Sequence, residues 1–589
     1  MSIISHYLPL ARHTTATQAA TYLFGVCLFS ISFLVFLNAS VSFVVTEVLG
    51  ITTGVGNVVG TLGFADELTA LVACPFWGIL SDRLGVRSVC TAGYILVGIS
   101  LILFVHARNV YPQLLLARLL FSLGAAATAT MVTGILPSLL GEEPDNVSPP
   151  FHTSPAWEES SQCSMAPSTN SQITITPANY VYQSQPCSVD PPLKKSLSPQ
   201  HAGSRSSRLA GLVGMFTGCG ALVALVLFLP LPTRFARING VSQAEAIADS
   251  FYVVGTIAIT VAAVCFCGLR GLAGEGEKGL RLLWTRASSA RYEAIPGEDG
   301  EINETRSSDA FLPYWRLLLD STILGFTDSN IGLAYVGGFV ARASSVGISL
   351  FIPLYVNAFF IQRGLCHVSP HDPSSEVKKS CREAYVLAAE LTGASQLVAL
   401  LAAPIFGIFS DRCRRLNLPL LVTSISGIIG YTAFARLGSP EIINVDGRGG
   451  SPLVFLIVSL IGFSQIGAIV CSLGLLGRGV VDDGVDQASP CRISVRQELL
   501  EEDEFHDMPS PSTTTTQPRR TRQHLKGSIA GIYSLSGGAA ILLLTKLGGF
   551  LFDNSSTGAP FYMMASFNGI LFLTGMGNNA SRAYHRRGM

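Results

Sequence analysis

The sequence predicts an all-α membrane protein whose twelve transmembrane helices form two six-helix bundles related by pseudo-two-fold symmetry. Of its 589 residues, 49% are hydrophobic and only 13% are charged, a composition too apolar for an ordinary soluble protein of this length. Many apolar runs exceed the roughly 18–20 residues that span a hydrocarbon core, and lipid offers no partner to an unpaired backbone group, so these runs are expected to be helices. A repeated stretch divides the chain into two related halves.

The repeated stretch covers residues 73–83 and, 329 positions later, residues 402–412. In both copies an apolar run ends in Ser-Asp-Arg, and seven of the eleven pairs of residues are identical. Any tight turn between two membrane helices needs polar residues, but chance agreement at seven positions is a poor explanation. We interpret the chain as two halves, each organised around this turn.

Counting apolar windows predicts six spans in each half. Those of the first half lie near residues 20–44, 55–80, 88–107, 111–139, 208–231 and 250–271. Those of the second half lie near residues 331–360, 384–409, 418–438, 452–477, 527–552 and 560–577, the last being the shortest. The predicted organisation is an N-terminal tail (1–19), a first bundle (20–272), a linker (273–315), a second bundle (316–577) and a C-terminal tail (578–589).

Lys and Arg in the connections predict the orientation. With both termini in the cytoplasm, 27 of these residues fall on the cytoplasmic side and 9 on the other, so both Ser-Asp-Arg turns are expected to face the cytoplasm. The polar connections 141–206, 273–315 and 479–525 are expected to be disordered cytoplasmic segments. The sequence does not distinguish the plasma membrane from a vacuolar or other organellar membrane.

Several classes of site are missing from the sequence. No nucleotide-binding loop, catalytic triad or metal-ligand cluster occurs, so we expect neither an enzyme nor a cofactor or metal. A formal net charge of zero gives no reason to expect nucleic-acid binding. Cys366 and Cys381 share the one sizeable loop opposite the turns, and a disulfide between them is a hypothesis, with two free thiols as the alternative.

Around the first turn, the sequence resembles the signature loop of the major facilitator superfamily. The matching residues, between the second and third of twelve spans, are Gly78, Ser81, Asp82, Arg83, Gly85 and Arg87. The second turn keeps part of this pattern, namely Gly407, Asp411 and Arg412. There, Arg414 and Leu416 stand where Gly85 and Arg87 would fall. The resemblance covers essentially all twelve spans and implies the fold of that superfamily.

The fourth and fifth spans resemble proton-coupled drug exporters of the same superfamily. Residues 116–124 are similar to the Arg-containing motif of that branch, although Phe121 and Ser122 stand where the family often has Gln and Gly. The fifth span is glycine-rich like the antiporter motif but lacks its Gly-Pro pair. The resemblance implies a drug:proton antiporter-like protein and assigns Arg118 to proton coupling.

The residue types of the first turn suit a tight junction between helices. Gly78 lets two helices approach closely, and Gly85 permits a left-handed backbone where the chain reverses. Asp82 is expected to cap free N–H groups at the start of the third span.

Two arginines follow in the same turn. Arg83 and Arg87 are expected to anchor the turn in the cytoplasm and to pair with Glu142 or Glu143. The resemblance implies that such a loop latches the two halves together in the outward-facing state, whereas the alternative is that its charges only fix topology.

Two adjacent carboxylates lie at membrane depth, where an ionised side chain costs at least about 2.5–3.5 kcal/mol. Asp66 and Glu67 point about 100° apart on the second span, so different roles are expected for them. Glu67 shares its face with small residues, which predicts a tight helix contact there: Gly60, Gly63, Ala70 and Cys74. Each carboxylate is either a protonatable site or a satisfied structural group.

Other charges within the spans suggest pairs. Arg118 is expected to pair with Asp66 or Glu67, for proton coupling or as a structural ion pair. Arg342 and Glu390 form a second candidate pair, although they are expected near opposite ends of their spans.

The expected function is secondary-active transport of a small organic solute by alternating access, with proton-coupled efflux favoured. The alternatives are a nutrient uniporter or importer and a transporter-like sensor that signals through its cytoplasmic loops. Expected partners are the solute, protons and the lipid bilayer, without nucleic acid, and the protein is expected to be a monomer.

Overall fold

The described part of the chain is helical. The computed structural model describes residues 14–51, 55–140, 200–237, 242–275, 278–279, 314–363, 382–413, 417–444, 449–481 and 525–587. Within these ranges there is no β-strand, and eleven helices are long and apolar enough to cross a membrane.

The membrane helices follow the predicted order. Those of the first half are α1 (Ala16–Val48), α2 (Val55–Leu84), α3 (Val86–Phe104), α4 (Val110–Leu140), α5 (Ser206–Phe235) and α6 (Gln243–Gly268). Those of the second half are α7 (Ser329–Gln362), α8 (Arg382–Arg412), α9 (Leu418–Ala435), α10 (Leu453–Val481), α11 (Lys526–Asn554) and α12 (Ala559–Arg587). A further linker helix, Tyr314–Thr327, precedes α7 and packs against α7 and α11.

The twelfth helix is the least apolar. α12 has 29 residues, which is long enough to cross a membrane, but it is not among the eleven that also meet the composition expected of a span. It contains Asn568, which is fully buried and accepts a hydrogen bond from Ser464 of α10. Packing against α9 and α7 nevertheless makes α12 part of the second bundle.

Several helices run past their predicted ends. The helix leading into α5 begins at Gln200, so residues 200–206 are not part of a disordered connection. α1 begins at Ala16, behind a capping box formed by Thr15 and Gln18, and α12 continues to Arg587 through the predicted tail. Apolar windows mark only the part of a helix that lies in hydrocarbon, whereas backbone hydrogen bonding continues beyond it. Most of the three long connections lies outside the described residues.

The packing of the first bundle recurs in the second. α3 packs against α4 and α6, α2 against α4, and α1 against α5. The equivalent pairs, α9 with α10 and α12, α8 with α10, and α7 with α11, are also in contact. This recurrence confirms two related bundles.

Two equivalent interfaces join the bundles, α2 with α11 and α8 with α5. The Ser-Asp-Arg turns close the C-terminal ends of α2 and α8, on one side of the molecule that we call the signature end. Gly85 has a φ of 90° immediately before α3, and Asn417 has a φ of 44° immediately before α9. Both chain reversals therefore depend on residue types that tolerate a left-handed backbone.

Candidate functional site

A cavity of about 200 Å³ lies between the two bundles. It is bordered by α1, α4 and α5 of the first bundle and by α7, α8, α10 and α11 of the second. Its polar lining residues are Ser30, Thr133, Thr217, Arg342, Ser345, Gln396, Gln465 and Tyr533. The rest of the lining is apolar or glycine, as is common for a pocket that binds a small molecule.

Arg342 is the one ionisable cation among the described lining residues of this cavity. It is half-buried on α7, and Gly537 of α11 leaves room for its stem, because an added Cβ there would lie 2.5 Å from its Cγ. The expected pair with Glu390 is not formed, since Glu390 is exposed on α8. Both residues lie on long helices but near different ends, which separates them along the bundle axis.

Asp66 and Arg118 form a buried ion pair inside the first bundle. The Nη2 atom of Arg118 lies 2.5 Å from Oδ2 of Asp66 and 2.6 Å from Oδ1 of Asn38. Ser122 donates a hydrogen bond of 2.7 Å to the backbone carbonyl of Asp66. The pair thus connects α1, α2 and α4, and it does not line the central cavity. Asn38 was missed at the sequence level, although an amide within an apolar span was a usable signal.

Glu67 has different surroundings from its neighbour. It is half-buried and interacts electrostatically with Asp66, Arg342 and Arg118. The tight helix contact expected on its face is found only at Cys74, since a Cβ added at Gly531 of α11 would lie 3.0 Å from the Cys74 carbonyl oxygen. A Cβ added at Gly60 or Gly63 would meet nothing within 4 Å among the described residues. The close approach of α2 to α11 occurs nearer the signature end.

Gly78 marks that close approach. A Cβ added to Gly78 would lie 2.5 Å from the carbonyl oxygen of Gly527 and 2.7 Å from Cα of Gly531, both on α11. Gly407, its counterpart on α8, faces Gly211 of α5, where an added Cβ would lie 3.0 Å from Cα. Both interfaces between the bundles therefore use glycine on each side, and the first is the tighter.

Asp82 caps a helix of the opposite bundle. Its carboxylate accepts hydrogen bonds from the backbone N–H of Gly527 and of Ser528, each 2.7 Å long, and from the Ser528 hydroxyl at 2.6 Å. The expectation that Asp82 caps α3 was therefore wrong. Asp82 still belongs to the last turn of α2, which directs its side chain toward the start of α11.

Glu275, which follows α6, caps α3 instead. Its Oε2 atom accepts a hydrogen bond of 2.7 Å from the backbone N–H of Val86. Its Oε1 atom lies 2.6 Å from Nζ of Lys526 on α11 and 3.1 Å from Nζ of Lys278. Lys526 also donates a hydrogen bond of 2.7 Å to Ser138 of α4. No sequence motif marked Glu275, since its role depends on residues from three distant segments.

The electrostatics of Glu275 favour its charged form. Burial by itself would raise the pKa of this carboxyl group, but the ammonium groups of Lys526 and Lys278 outweigh burial and hold the pKa below its ordinary value. The ion pair between Glu275 and Lys526 therefore joins the two bundles at the signature end.

The two arginines of the first turn lie against aromatic rings. The guanidinium carbon of Arg83 is 3.7 Å from the ring centre of Tyr314 on the linker helix, and that of Arg87 is 3.9 Å from the ring centre of Phe266 on α6. Their expected partners Glu142 and Glu143 lie outside the described residues, as do Cys366 and Cys381.

The second turn contacts the opposite bundle through an ion pair. Oδ2 of Asp411 lies 2.8 Å from Nε of Arg208, near the start of α5. The side chain of Arg208 is 53% exposed, while Asp411, like Asp82 in the first turn, is largely buried. Ser410 donates a hydrogen bond of 3.4 Å to the Ser207 hydroxyl, and Arg412 is exposed.

Comparison with known proteins gives matches at the level of family and fold. The sequence model of the Major Facilitator Superfamily matches residues 22–143. No curated protein matches the chain.

Two solved structures illustrate the likeness in fold. The proton:xylose symporter XylE bound to 6-bromo-6-deoxy-D-glucose has a TM-score of 0.52 at 10% identity, over 95% of this chain and 94% of that chain. A bacterial homologue of the iron transporter ferroportin, in an outward-facing state, has a TM-score of 0.51 at 12% identity, over 96% of this chain and all of that chain. The protein is a multi-pass, all-α membrane protein with the major facilitator fold, and residues 22–143 match the sequence of that superfamily.

Proposed function

We propose that the protein is a secondary-active transporter that moves a small organic solute by alternating access. The observation that carries this proposal is a cavity bordered by both bundles, since such a site can open to either side when one bundle rocks against the other. One structural neighbour described above is a proton:xylose symporter and the other is a homologue of an iron transporter, which supports the same interpretation.

The signature end is proposed to face the cytoplasm, with the two bundles held together there. The distribution of Lys and Arg supports this orientation, with both termini on the same side. Asp82 against the start of α11, Glu275 against Lys526, and Asp411 against Arg208 each connect one bundle to the other at this end. Opening toward the cytoplasm would require all three connections to break, so the described conformation is proposed to be closed on that side.

Proton-coupled efflux is the proposed transport mode, with Asp66 as the first candidate proton carrier. Asp66 is the buried ionic partner of Arg118, and protonation would weaken their attraction and leave Arg118 with Asn38. Because the pair connects three helices of one bundle, its state can influence how that bundle packs. A proton drives transport only if it binds the two conformations with different affinity. Glu67 is the second candidate carrier.

Flux in proteoliposomes tests this proposal. Purified protein is reconstituted with a pH reporter inside the vesicles, and lipophilic cations, neutral metabolites and organic anions are added in turn. Asp66→Asn, Glu67→Gln and Arg118→Ala are compared with Glu47→Gln, an exposed carboxylate at the end of α1. Solute-dependent proton movement that is lost in Asp66→Asn and kept in Glu47→Gln supports coupling through Asp66.

Other outcomes distinguish a failure of proton coupling from a failure of the transporter assignment. Solute uptake without proton movement would refute proton coupling and favour a uniporter or importer. If no solute moved with folded protein, the transporter assignment itself would fail and the sensor alternative would gain.

A further inference from the structure

We propose that the transported solute is a small organic monoanion, bound in the central cavity through a carboxylate that pairs with Arg342. This inference rests on the proposed transport function and adds the chemical class of the solute. It depends on the charge of the cavity lining, the position of Arg342 and the hydrogen-bonding groups around it.

The described lining of the cavity has a single full charge. Among the described residues that border the cavity, Arg342 is the only ionised group, and no carboxylate faces the cavity beside it. A guanidinium in a membrane-embedded cavity is costly unless it meets a counter-charge or water. A monoanion would neutralise this charge, whereas a cationic solute would meet repulsion and a dianion would leave one charge uncompensated.

Arg342 is free to bind a ligand. Within the described part of the chain its guanidinium makes no hydrogen bond or ion pair, in contrast to Arg118, which is held by Asp66 and Asn38. Guanidinium groups bind carboxylates through two parallel hydrogen bonds, a geometry that a planar carboxylate fits.

Two other polar residues of the cavity lining, Ser345 and Gln465, favour a solute that also carries a hydroxyl group. Ser345 donates its hydroxyl proton to the carbonyl of Ala341, so it can only accept the hydrogen bond of 2.9 Å from the amide nitrogen of Gln465. This fixes the amide orientation of Gln465 and leaves its buried Oε1 atom without a donor among the described residues. A solute hydroxyl that reached this oxygen would satisfy it. The cavity volume of about 200 Å³ lies below the roughly 300–1,000 Å³ of sites for drug-sized ligands, which favours a small hydroxycarboxylate.

The carboxylate of Glu67 is expected to oppose anion binding at Arg342. It belongs to α2 and does not line the cavity, but it interacts electrostatically with Arg342. Ionised Glu67 would weaken the binding of an anion at Arg342, so its neutral variant is expected to bind the anion more tightly. Arg342 and Glu67 should therefore have opposite effects on affinity.

The test compares three solutes of similar size and different charge. Uptake of lactate, lactamide and ethanolamine is measured with the full chain in proteoliposomes, and lactate affinity is measured separately in detergent. Arg342→Met keeps the stem that packs near Gly537 without the charge, Arg342→Lys keeps a charge, and Arg234→Met is the control because Arg234 is exposed at the end of α5. Monodispersity and thermal unfolding establish that each variant is folded.

We expect uptake of lactate in preference to the other two solutes. Arg342→Met should lower lactate affinity at least tenfold, equivalent to about 1.4 kcal/mol, with a smaller loss in Arg342→Lys and no change in Arg234→Met. Glu67→Gln should raise the affinity.

Two results would overturn the proposal in different ways. If lactamide or ethanolamine moved as well as lactate, or if Arg342→Met bound lactate like the wild type, the anion assignment would be wrong while transport remained. If no solute of any charge moved with folded wild-type protein, the transporter assignment would fail and this inference with it.

Discussion

The two signature turns have the same sequence at their centre but hold the opposite bundle in different ways. In the first turn, the buried carboxylate of Asp82 accepts three hydrogen bonds at the start of α11. In the second turn, Asp411 meets the largely exposed side chain of Arg208 at the start of α5. A hydrogen bond to a buried carboxylate is stronger than the attraction to a partner that solvent screens. Identical residues therefore cap a helix of the opposite bundle in one half and pair with a half-exposed arginine in the other.

The first turn is also reinforced by Glu275. Glu275 caps α3 and pairs with Lys526, so the same region holds the start of two helices and both bundles. We infer that the interface of α2 with α11 controls opening at the signature end, while the interface of α8 with α5 contributes less. Four predictions test this asymmetry.

The largest effect is expected from Glu275→Gln. This variant leaves Lys526 buried without its carboxylate partner, and removal of one member of a buried ion pair costs about 3–5 kcal/mol. The thermal unfolding temperature in detergent should fall markedly, while Glu47→Gln should leave it unchanged. Replacing both members, in Glu275→Gln with Lys526→Met, should recover part of the loss. An unfolding temperature equal to that of the wild type would show that the pair does not stabilise the closed interface.

The same residue predicts a dependence on pH. The pKa of Glu275 is lower in the folded protein than its ordinary value of 4.5, so its stabilising contribution is complete above that value and is lost as pH falls through the folded pKa. Wild type and Glu275→Gln should therefore differ most in unfolding temperature near neutral pH and converge in acid. A difference that stayed constant with pH would contradict the ionic origin of the effect.

A smaller and unequal effect is expected when the two signature aspartates are replaced. Asp82→Asn keeps an oxygen acceptor at the start of α11 and removes only the charge from its hydrogen bonds, so part of their strength is retained. Asp411→Asn should have less effect, because solvent around the half-exposed Arg208 already screens that pair. Opening at the signature end is measured by labelling with a membrane-impermeant thiol reagent. The labelled cysteines are introduced in the cavity lining of a variant without accessible native cysteines. Equal labelling of the two variants would remove the proposed asymmetry.

Within each interface between the bundles, the effect of replacing the glycine is expected to be steric. In Gly78→Ala the new methyl group meets backbone atoms of α11 at 2.5–2.7 Å, and overpacking of this kind costs about 1–3 kcal/mol. Gly407→Ala should cost less, because its nearest contact is 3.0 Å. Unfolding temperatures of the two variants check this order, and a larger loss for Gly407→Ala would reverse it.

Sequence reasoning located the membrane helices, but it did not identify most of the residues that pair with their charged side chains. Apolar runs placed most span ends within about four residues, because the thickness of a membrane sets a minimum length that each helix must satisfy by itself. The exceptions are the start of α6, predicted near 250 and observed at Gln243, and the end of α12, predicted near 577 and observed at Arg587. The pair of Asp66 with Arg118 was among the expected alternatives, and the structure contains it. The pair of Arg342 with Glu390 was also considered, but it is not formed.

The contacts that sequence reasoning missed have a common cause: they join segments that are far apart in the chain. Asp82 was expected to cap the next helix, yet it caps α11, whose first residues lie 445 positions further along the chain. Glu275 carried no motif, because its role exists only where the ends of α3, α6 and α11 meet.

The sequence by itself determined that this is a helical membrane protein, built from two related halves, each with a charged turn. These properties follow from local hydrophobicity and from a repeat, both of which are properties of the chain alone. Only the tertiary structure decided which helix of the opposite bundle each turn contacts. It also decided that Arg118 is paired and that Arg342 faces the central cavity. Those outcomes depend on how distant helices pack, since a buried charge takes its partner from whatever the opposite helix brings within hydrogen-bonding distance.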